Sequence, residues 1–380
     1  MSMALAAGVC ALSLVATNLT SMALAGRRWL RRPPVTGIVD RPPVSIVRPL
    51  FGLEPFSEET LEASFNIDWP EYEILFCVQR RTDPIIPLVE KAIAAHPHVQ
   101  AKLLVGDDPI SANPKLNNCV KGWTAARYGF IVLVDSNSLT PAGYLQRLMR
   151  EMQPGVALVV SMPLGVRPEG FFAEVECAVL NTYQARWQYA AEAVGMGFAQ
   201  GKNMLWRRQV LEKAGGIGVL AAEIAEDAAS TKVVRGSDMA IKLVDRPFEQ
   251  PLGSRTWRDV WSRHARWARL RRVTFPLHFA PEILSGALLP MVLAAYAARE
   301  VEVSAWTGAA VVAMVLYGAE VALTRAARFQ FSWRMVVAML LRDCCLPLIW
   351  IDAWLFDDFT WHGQQMSVKV EAKSAREDFA

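Results

Sequence analysis

A chain of 380 residues can hold one sizeable domain plus membrane segments, or two soluble domains. Apolar residues reach 53%, high for a soluble enzyme, and the small net charge of +3 conceals two basic clusters, Arg27, Arg28, Arg31 and Arg32, and Arg258 to Arg272. Basic groups on so apolar a chain point to an anionic membrane face before nucleic acid, and six cysteines without CxxC pairs or ligand spacing read as buried thiols rather than a metal or disulfide framework.

Met1 to Ala25 carries no charged side chain and is long enough for a bilayer core, which takes roughly 20 residues. A cleaved signal peptide would begin with its basic residues, whereas here they follow the apolar run. Residues 1–26 therefore read as an uncleaved anchor and 27–43 as a basic juxtamembrane linker on the cytosolic side. From 44 to 254 no stretch is long enough to span. Val44 to Val47, Tyr72 to Val78, Ala101 to Val105, Phe130 to Val134 and Val156 to Val160 read as buried strands. Between them Glu58 to Phe65, Pro84 to Ala95, Pro114 to Arg127 and Gly143 to Met152 read as helices. This alternation predicts an α/β domain with a mostly parallel sheet and helices on both faces. Residues 255–273 read as an amphipathic interfacial helix rich in Trp and Arg. Residues 277–356 hold about three membrane segments, the last carrying Arg342, Asp343 and Asp352, so that it either spans, re-enters or lies flat. Residues 357–380 form a tail.

Ligands of such sheets sit at the carboxyl ends of strands, which singles out Asp83, Asp107, Asp108 and Asp135. Asp135, with Asn137 close behind it, suits a hard divalent cation such as Mg²⁺ or Mn²⁺ bridged to a diphosphate, or it caps the next helix. Asp83-Pro84 is equally a helix start and a carboxylate for a base or ribose. Asn113-Pro114-Lys115-Leu116-Asn117-Asn118 offers free backbone N–H groups and a lysine to a phosphate, or is a solvated helix start. Glu223, Glu226 and Asp227 crowd one helical stretch, where mutual repulsion raises pKa values and suits one of them to general-base work. The alternative is acidic residues at a helix N-terminus. The five histidines show no zinc-ligand spacing.

The order of these pieces is more specific than any one of them. Val47-Arg48-Pro49-Leu50-Phe51-Gly52-Leu53-Glu54-Pro55 comes first, then Tyr72 to Gln79 with Asp83-Pro84. Asn113 to Asn118, Asp135-Ser136, Ala225-Glu226-Asp227 and Arg263-His264-Ala265-Arg266-Trp267 follow. In this order the chain resembles the ceramide glucosyltransferase family, glycosyltransferase family 21, over nearly its whole length, and the last segment matches the family's (Q/R)xxRW signature. The resemblance implies a GT-A-type fold and inverting, metal-dependent transfer of a sugar, glucose by preference, from a UDP-sugar to the primary hydroxyl of ceramide. It places Arg48, Pro49, Asp83, Lys115, Asn117, Asp135 and Arg266 at the UDP-sugar, and Asp135 with Asn137 at Mg²⁺ or Mn²⁺. Asp227 becomes the base, with Arg263, Arg266 and Trp267 at the reaction centre. Glu176, Arg186, Trp187, Lys202 and Glu226 are expected on the acceptor side.

The chain departs from the animal pattern at Gln184-Ala185-Arg186-Trp187, at Asn137, and at Gly201-Lys202-Asn203-Met204. These departures leave open another lipid acceptor, such as a hopanoid, or UDP-glucuronate as donor. A processive polysaccharide synthase shares the aspartates but usually has more spans. The expected partners are the donor, the lipid acceptor and membrane lipids, with no nucleic acid. The expected location is a multi-pass membrane protein with its catalytic domain in the cytosol. The Ala- and Arg-rich composition favours a bacterial inner membrane, and a eukaryotic member would sit in the Golgi.

Overall fold

A computed structural model describes residues 3–31, 40–361 and 364–369. Residues 32–39 of the juxtamembrane linker, His362, Gly363 and the tail from 370 lie outside the described residues. In chain order the elements are α1 (Met3–Trp29), β1 (Val44–Leu50), α2 (Ser57–Phe65), β2 (Tyr72–Val78), α3 (Ile86–Ala95) and β3 (Gln100–Val105). Then come α4 (Pro114–Ala125), β4 (Phe130–Val134), α5 (Tyr144–Glu151), β5 (Val156–Ser161), β6 (Pro163–Glu169) and α6 (Phe171–Cys177), which runs through a π-helical segment (Ala178–Gln184) into α7 (Ala185–Ala193). The chain continues with β7 (Asn203–Arg207), α8 (Arg208–Lys213), α9 (Glu226–Arg235), β8 (Ala240–Leu243), β9 (Phe248–Ser254), α10 (Trp257–Thr274) and α11 (Pro276–Phe279). It closes with α12 (Leu288–Arg299), α13 (Ala305–Ala326), α14 (Arg334–Leu355), β10 (Asp358–Trp361) and β11 (Gln364–Ser367).

Two compact units share this chain. The described residues of Arg32–Val166 and Val194–Pro251 form the α/β unit, and those of Met1–Arg31, Arg167–Ala193 and Leu252–Val370 form the helical unit. The chain passes between them within β6 and β9.

The α/β unit is built on a seven-stranded sheet of order β3-β2-β1-β4-β7-β5-β8. β1 pairs in parallel with both β2 and β4, and β7 runs antiparallel between β4 and β5. Every residue of β1 is buried because it is a central strand. Alternate side chains of a strand point to opposite faces. Val44, Ile46, Ile74, Phe76, Val132 and Val134 share one face and pack with Leu61 and Phe65 of α2, Val89 of α3 and Leu145 and Leu148 of α5. The other face takes α4, whose Gly122 is the contact residue. A Cβ there would lie 2.4 Å from Val47 Cγ1 and 2.7 Å from Cys77 Sγ, so only glycine lets the helix lie this close.

The predicted strands and the α5 stripe are present. Several boundaries differ, with β1 running on from Val47 to Leu50. α3 starts at Ile86, two residues after Pro84; α4 ends at Ala125; and α9 starts at Glu226, leaving Glu223 outside it in extended backbone. β7 is antiparallel to both its neighbours, and the other pairings of the sheet are parallel, so the sheet is mostly parallel as expected.

In the helical unit α1 and α13 are long and apolar enough to cross a membrane. The segment expected to span from Leu277 is instead broken. Residues Pro276–Leu284 and Leu288–Arg299 meet at a bend of 44°, and count as one more span if taken together. α14 is a continuous helix of 22 residues with Pro347 inside it. Its Arg342 and Asp343 are buried among partners. Arg342 donates to Glu320 at 3.0 and 3.2 Å and to Asp343 at 3.0 Å, Arg186 donates to Glu320 at 3.0 Å, and Tyr317 donates to Asp343 at 2.9 Å. Two guanidiniums and two carboxylates cancel one another, which offsets the cost of burying them. Four of the six cysteines are buried as expected. Cys10 and Cys344 are exposed on the outer faces of α1 and α14, where apolar neighbours such as Leu12, Val337 and Leu348 are exposed as well.

Candidate active site

β4 ends at Val134 and delivers Asp135 to the carboxyl edge of the sheet, in the strand-end position expected of a ligand-binding residue. Its carboxylate is flanked by two ammoniums. Lys115 Nζ lies 2.5 Å from Oδ1 and Lys202 Nζ 2.7 Å from Oδ2. Burial alone would push the Asp135 carboxyl up, but Lys115 and Lys202 outweigh it and hold it down at about 2. Lys115 stands in the first turn of α4, where the Asn113 side chain caps the helix by accepting from Lys115 N and Leu116 N. Lys202 sits just before β7, and the Asp135 N–H donates to the Lys202 carbonyl at 2.9 Å, tying the two loops together.

Lys115 also reaches across to α9. Its Nζ is 2.6 Å from Glu226 Oε1 and contacts the Gly201 carbonyl. Burial lowers the ammonium's affinity for its proton, but Asp135 and Glu226 together raise it, so Lys115 stays charged. Glu226 is fixed from the other side by Asn113 Nδ2 at 2.6 Å. Asp227, next on the helix, accepts from Gly201 N at 3.0 Å and from Ala228 N at 2.8 Å. Burial, and then the neighbouring Glu226 charge, push the Asp227 carboxyl up to about 6 against the pull of Lys115. That value suits a general base near neutral pH. Gly201 permits the approach, since a Cβ on it would stand 2.8 Å from Glu226 Oε1 and 3.2 Å from Lys115 Nζ. Asp135, Lys115, Lys202, Glu226, Asp227, Asn113 and Gly201 therefore form one cluster. Glu223 is not part of it: it pairs instead with Lys232 in the second half of α9.

Other residues assigned to the donor stand elsewhere. Arg48 is fully buried, and its guanidinium is consumed by Ser64 Oγ at 2.5 Å and by the carbonyls of Ser136 and Ser138 at 3.0 and 2.7 Å. It braces the loop that carries Asp135 and Asn137, and its Nε, also buried, is left without a hydrogen-bond partner among the described residues. Burial lowers its pKa to about 10, so it remains charged. Pro49 is a buried β1 residue beside Cys77. Asp83 accepts from Gly52 N at 3.0 Å and Ile85 N at 3.0 Å, joining the loop after β1 to the turn before α3. Asn117 is spent on its own loop, accepting from Ile110 N and Ser111 N and donating to the Ser111 carbonyl.

In the helical unit, α10 opens on a capping box formed by Thr256 and Asp259 and buries Val260, His264, Ala265 and Ala268. Arg263 pairs with Glu176, a fully buried carboxylate that also accepts from Arg255 at 3.1 Å. Arg269, Arg271 and Arg272 are bound to Asp352, Glu282 and Asp357. Arg266 lies 5.2 Å over the Trp361 ring, and burial lowers its pKa to about 10. Glu176 thus orients two arginines. Arg186, expected near the acceptor, is locked to Glu320 and Asn18 and lies over Trp187.

A family model described as glycosyl transferase family 21 matches residues 6–374. The chain belongs to glycosyl transferase family 21. Ceramide glucosyltransferase 1 of Caenorhabditis elegans is 28% identical over 237 residues, covering 62% of this chain and 51% of that protein. A ceramide glucosyltransferase of Komagataella phaffii is 31% identical over 194 residues, covering 45% and 38%. This family 21 chain thus spans about half the length, or less, of these curated relatives. Among solved structures, a mannosyltransferase from Pyrobaculum calidifontis in complex with GDP-Man and Mn²⁺ superimposes with a TM-score of 0.51. It is 18% identical and covers 89% of this chain and 99% of that one. The fold is a GT-A-type glycosyltransferase domain, joined here to apolar helices.

Among the described residues no cluster of three or more His, Cys, Asp or Glu could hold a metal. The donors that do converge fit a cation shared with a substrate. Lys202 Nζ lies 2.7 Å from Asp135 Oδ2 and 3.0 Å from Asn137 Oδ1, so two oxygens already meet on one cationic centre. Mg²⁺ sites commonly use one or two carboxylates and complete the shell with phosphate and water.

The Asn113 clamp on Glu226 and the Gly201 approach are missing from a motif reading. Their signals, an N-cap Asn ahead of Pro114 and a Gly-Lys pair ahead of a strand, are common in proteins without such a site.

Proposed function

We propose that this chain transfers a sugar, glucose by preference, from a UDP-sugar to the primary hydroxyl of ceramide, inverting the anomeric carbon. The observation that carries the reading is the pair of opposed carboxylates. Asp135 is held ionised by two lysines, and Asp227 is tuned to about 6 beside Glu226.

Asp227 takes the proton of the acceptor hydroxyl. The resulting oxygen forms a bond to the anomeric carbon as the bond to the diphosphate oxygen breaks, and UDP departs with that electron pair. Lys115 would offset the charge that gathers on the leaving diphosphate, and Lys202, whose ammonium stands between Asp135 and Asn137, would turn toward that charge when a cation takes its place. Asp135 and Asn137 would hold a divalent cation, which when bound supplies Lewis-acid stabilisation of the diphosphate. Asn113 and Gly201 keep Glu226 and Asp227 at their posts. The roles of Asp83, Arg263, Arg266 and Trp267 rest on the motif match. Ceramide is hydrophobic, so a membrane-associated enzyme with its α/β unit on the cytosolic side, where UDP-sugars are made, suits the reaction.

The test is incubation of the purified chain in lipid with ceramide, Mn²⁺ or Mg²⁺ and a panel of UDP-sugars. The expected product is glucosylceramide of inverted configuration. Failure to form a glycolipid with any UDP-sugar refutes the reading, and transfer from UDP-glucuronate alone changes the donor.

A further inference from the structure

The two oxygens placed to hold a divalent cation, Asp135 Oδ2 and Asn137 Oδ1, both meet the Lys202 ammonium, at 2.7 and 3.0 Å. The other Asp135 oxygen faces Lys115 at 2.5 Å. A divalent ion that reaches this carboxylate must therefore displace an ammonium or lie beside one. Only 13% of the Lys202 side chain and 17% of that of Asp135 are exposed, so salt and water screen the repulsion weakly. Asn137 and Lys202 both stand where the sequence departs from the animal pattern, which makes their pairing a property of this chain.

The two lysines are not held equally. Lys115 is gripped by Glu226 at 2.6 Å and by the Gly201 carbonyl as well as by Asp135, and it stands in the first turn of a capped helix. Lys202 pairs with no second carboxylate among the described residues. Its backbone is fixed. The N–H donates to Gln200 Oε1 at 2.9 Å, and the carbonyl accepts from Asp135 N at 2.9 Å. What can move is the flexible four-carbon stem that carries the charge. An ammonium swung out by a divalent ion alone gives up its carboxylate and gains no anion. Swung out by an ion that arrives with a diphosphate, it exchanges one anion for another, which avoids leaving a charge unpaired.

We propose that Lys202 is a tethered cation seated between Asp135 and Asn137 that couples the divalent ion to the nucleoside diphosphate, so that the ion is held tightly only when the diphosphate is present. The identity of the diphosphate rests on the transfer reading, and the exchange itself rests on the position of the ammonium. Such coupling is reciprocal. The diphosphate raises the affinity for the ion by the same factor as the ion raises that for the diphosphate. Lys202 makes this factor large by weakening the ion's hold on the nucleotide-free site.

The experiment uses the full chain in phosphatidylcholine nanodiscs at fixed ionic strength, with Mn²⁺ and UDP as probes. Free Mn²⁺ is counted by electron paramagnetic resonance with and without UDP, and calorimetry measures UDP affinity with and without Mn²⁺. Asp135→Asn gives the background of Mn²⁺ bound elsewhere. The unaltered chain should bind Mn²⁺ at least about tenfold more tightly with UDP than without it. Lys202→Met should strengthen nucleotide-free Mn²⁺ binding by about tenfold and shrink the coupling factor to match. Lys202→Arg keeps a cation on the loop and should stay within about threefold of the unaltered chain. UDP binding by Lys202→Met in saturating Mn²⁺ reports that its site is folded. Equal Mn²⁺ affinity with and without UDP in the unaltered chain overturns the proposal whatever the variants do. An unchanged nucleotide-free Mn²⁺ affinity in Lys202→Met overturns it too, as does a gain in Lys202→Arg equal to that in Lys202→Met. Mn²⁺ bound under neither condition overturns it together with the cation assignment. Coupled binding of Mn²⁺ and UDP without transfer from any UDP-sugar refutes the transfer reading alone. Transfer by a chain that holds Mn²⁺ equally well with and without UDP refutes this inference alone.

Discussion

Replacing Lys115 by Met tests the electrostatic core of the site. The ammonium lies 2.5 Å from Asp135 Oδ1 and 2.6 Å from Glu226 Oε1, with only 15% of its side chain exposed. Removing it leaves Asp135, Glu226 and Asp227 with Lys202 as the remaining nearby cation. Breaking a buried pair by removing one partner costs about 3–5 kcal/mol, and the lower end applies because Lys202 still faces Asp135. The same change acts on Asp227. Lys115 pulls its pKa down, so without the ammonium the carboxyl rises above about 6. A base is active when deprotonated, so the acid limb of the rate profile moves to higher pH, while Lys115→Arg leaves it nearly in place. Thermal unfolding in detergent reads the stability, and kcat/KM against pH reads the titration. A Lys115→Met protein with unchanged melting temperature and an unmoved acid limb would show that the ammonium does not hold this cluster, and the assignment of Asp227 would lose its support.

Asp227→Asn should keep UDP-sugar binding by calorimetry and lose about 100- to 10,000-fold in transfer; near-full transfer removes the residue from the base role. In the unaltered protein transfer should fall as pH drops through about 6, the pH at which Asp227 takes up its proton. Asp135 works in the opposite sense for stability. Its pKa is lowered from 3.8 to about 2, so its contribution, about 2 kcal/mol, is present above the unfolded value and lost as pH falls toward 2. Acid titration followed by circular dichroism should show that loss, and Asp135→Asn should remove it. Gly122→Ala drives a methyl into Val47 and Cys77 and should cost about 1–3 kcal/mol by denaturant melts of the chain in detergent, with an unshifted midpoint refuting the packing argument.

Local pattern made most of the α/β unit readable. Runs such as Phe130 to Val134 are apolar because a central strand is covered on both faces, and the stripe of Leu145, Leu148 and Met149 is apolar because one face of α5 meets the core. The same reasoning puts Asp135 at a strand end and finds the long apolar helix α1 near the N-terminus. Tertiary structure alone decided what each charge faces. Arg48 and Lys115 both stand in family-like motifs, yet one is consumed by loop carbonyls and the other joins the carboxylates. Periodicity shows that a residue is on a strand or helix but not which distant group meets its tip. β7 is as long as β4 but reads Asn203-Met204-Leu205-Trp206-Arg207, with no β-branched residue to mark a strand, and its direction follows from where the chain returns. Arg342 and Asp343 read as isolated charges on the last apolar stretch, and only the fold brings Glu320 and Tyr317, remote in sequence, against them. Secondary structure answers to side-chain spacing within a few residues. Protonation, pairing and site assembly answer to contacts the folded chain makes over long separations.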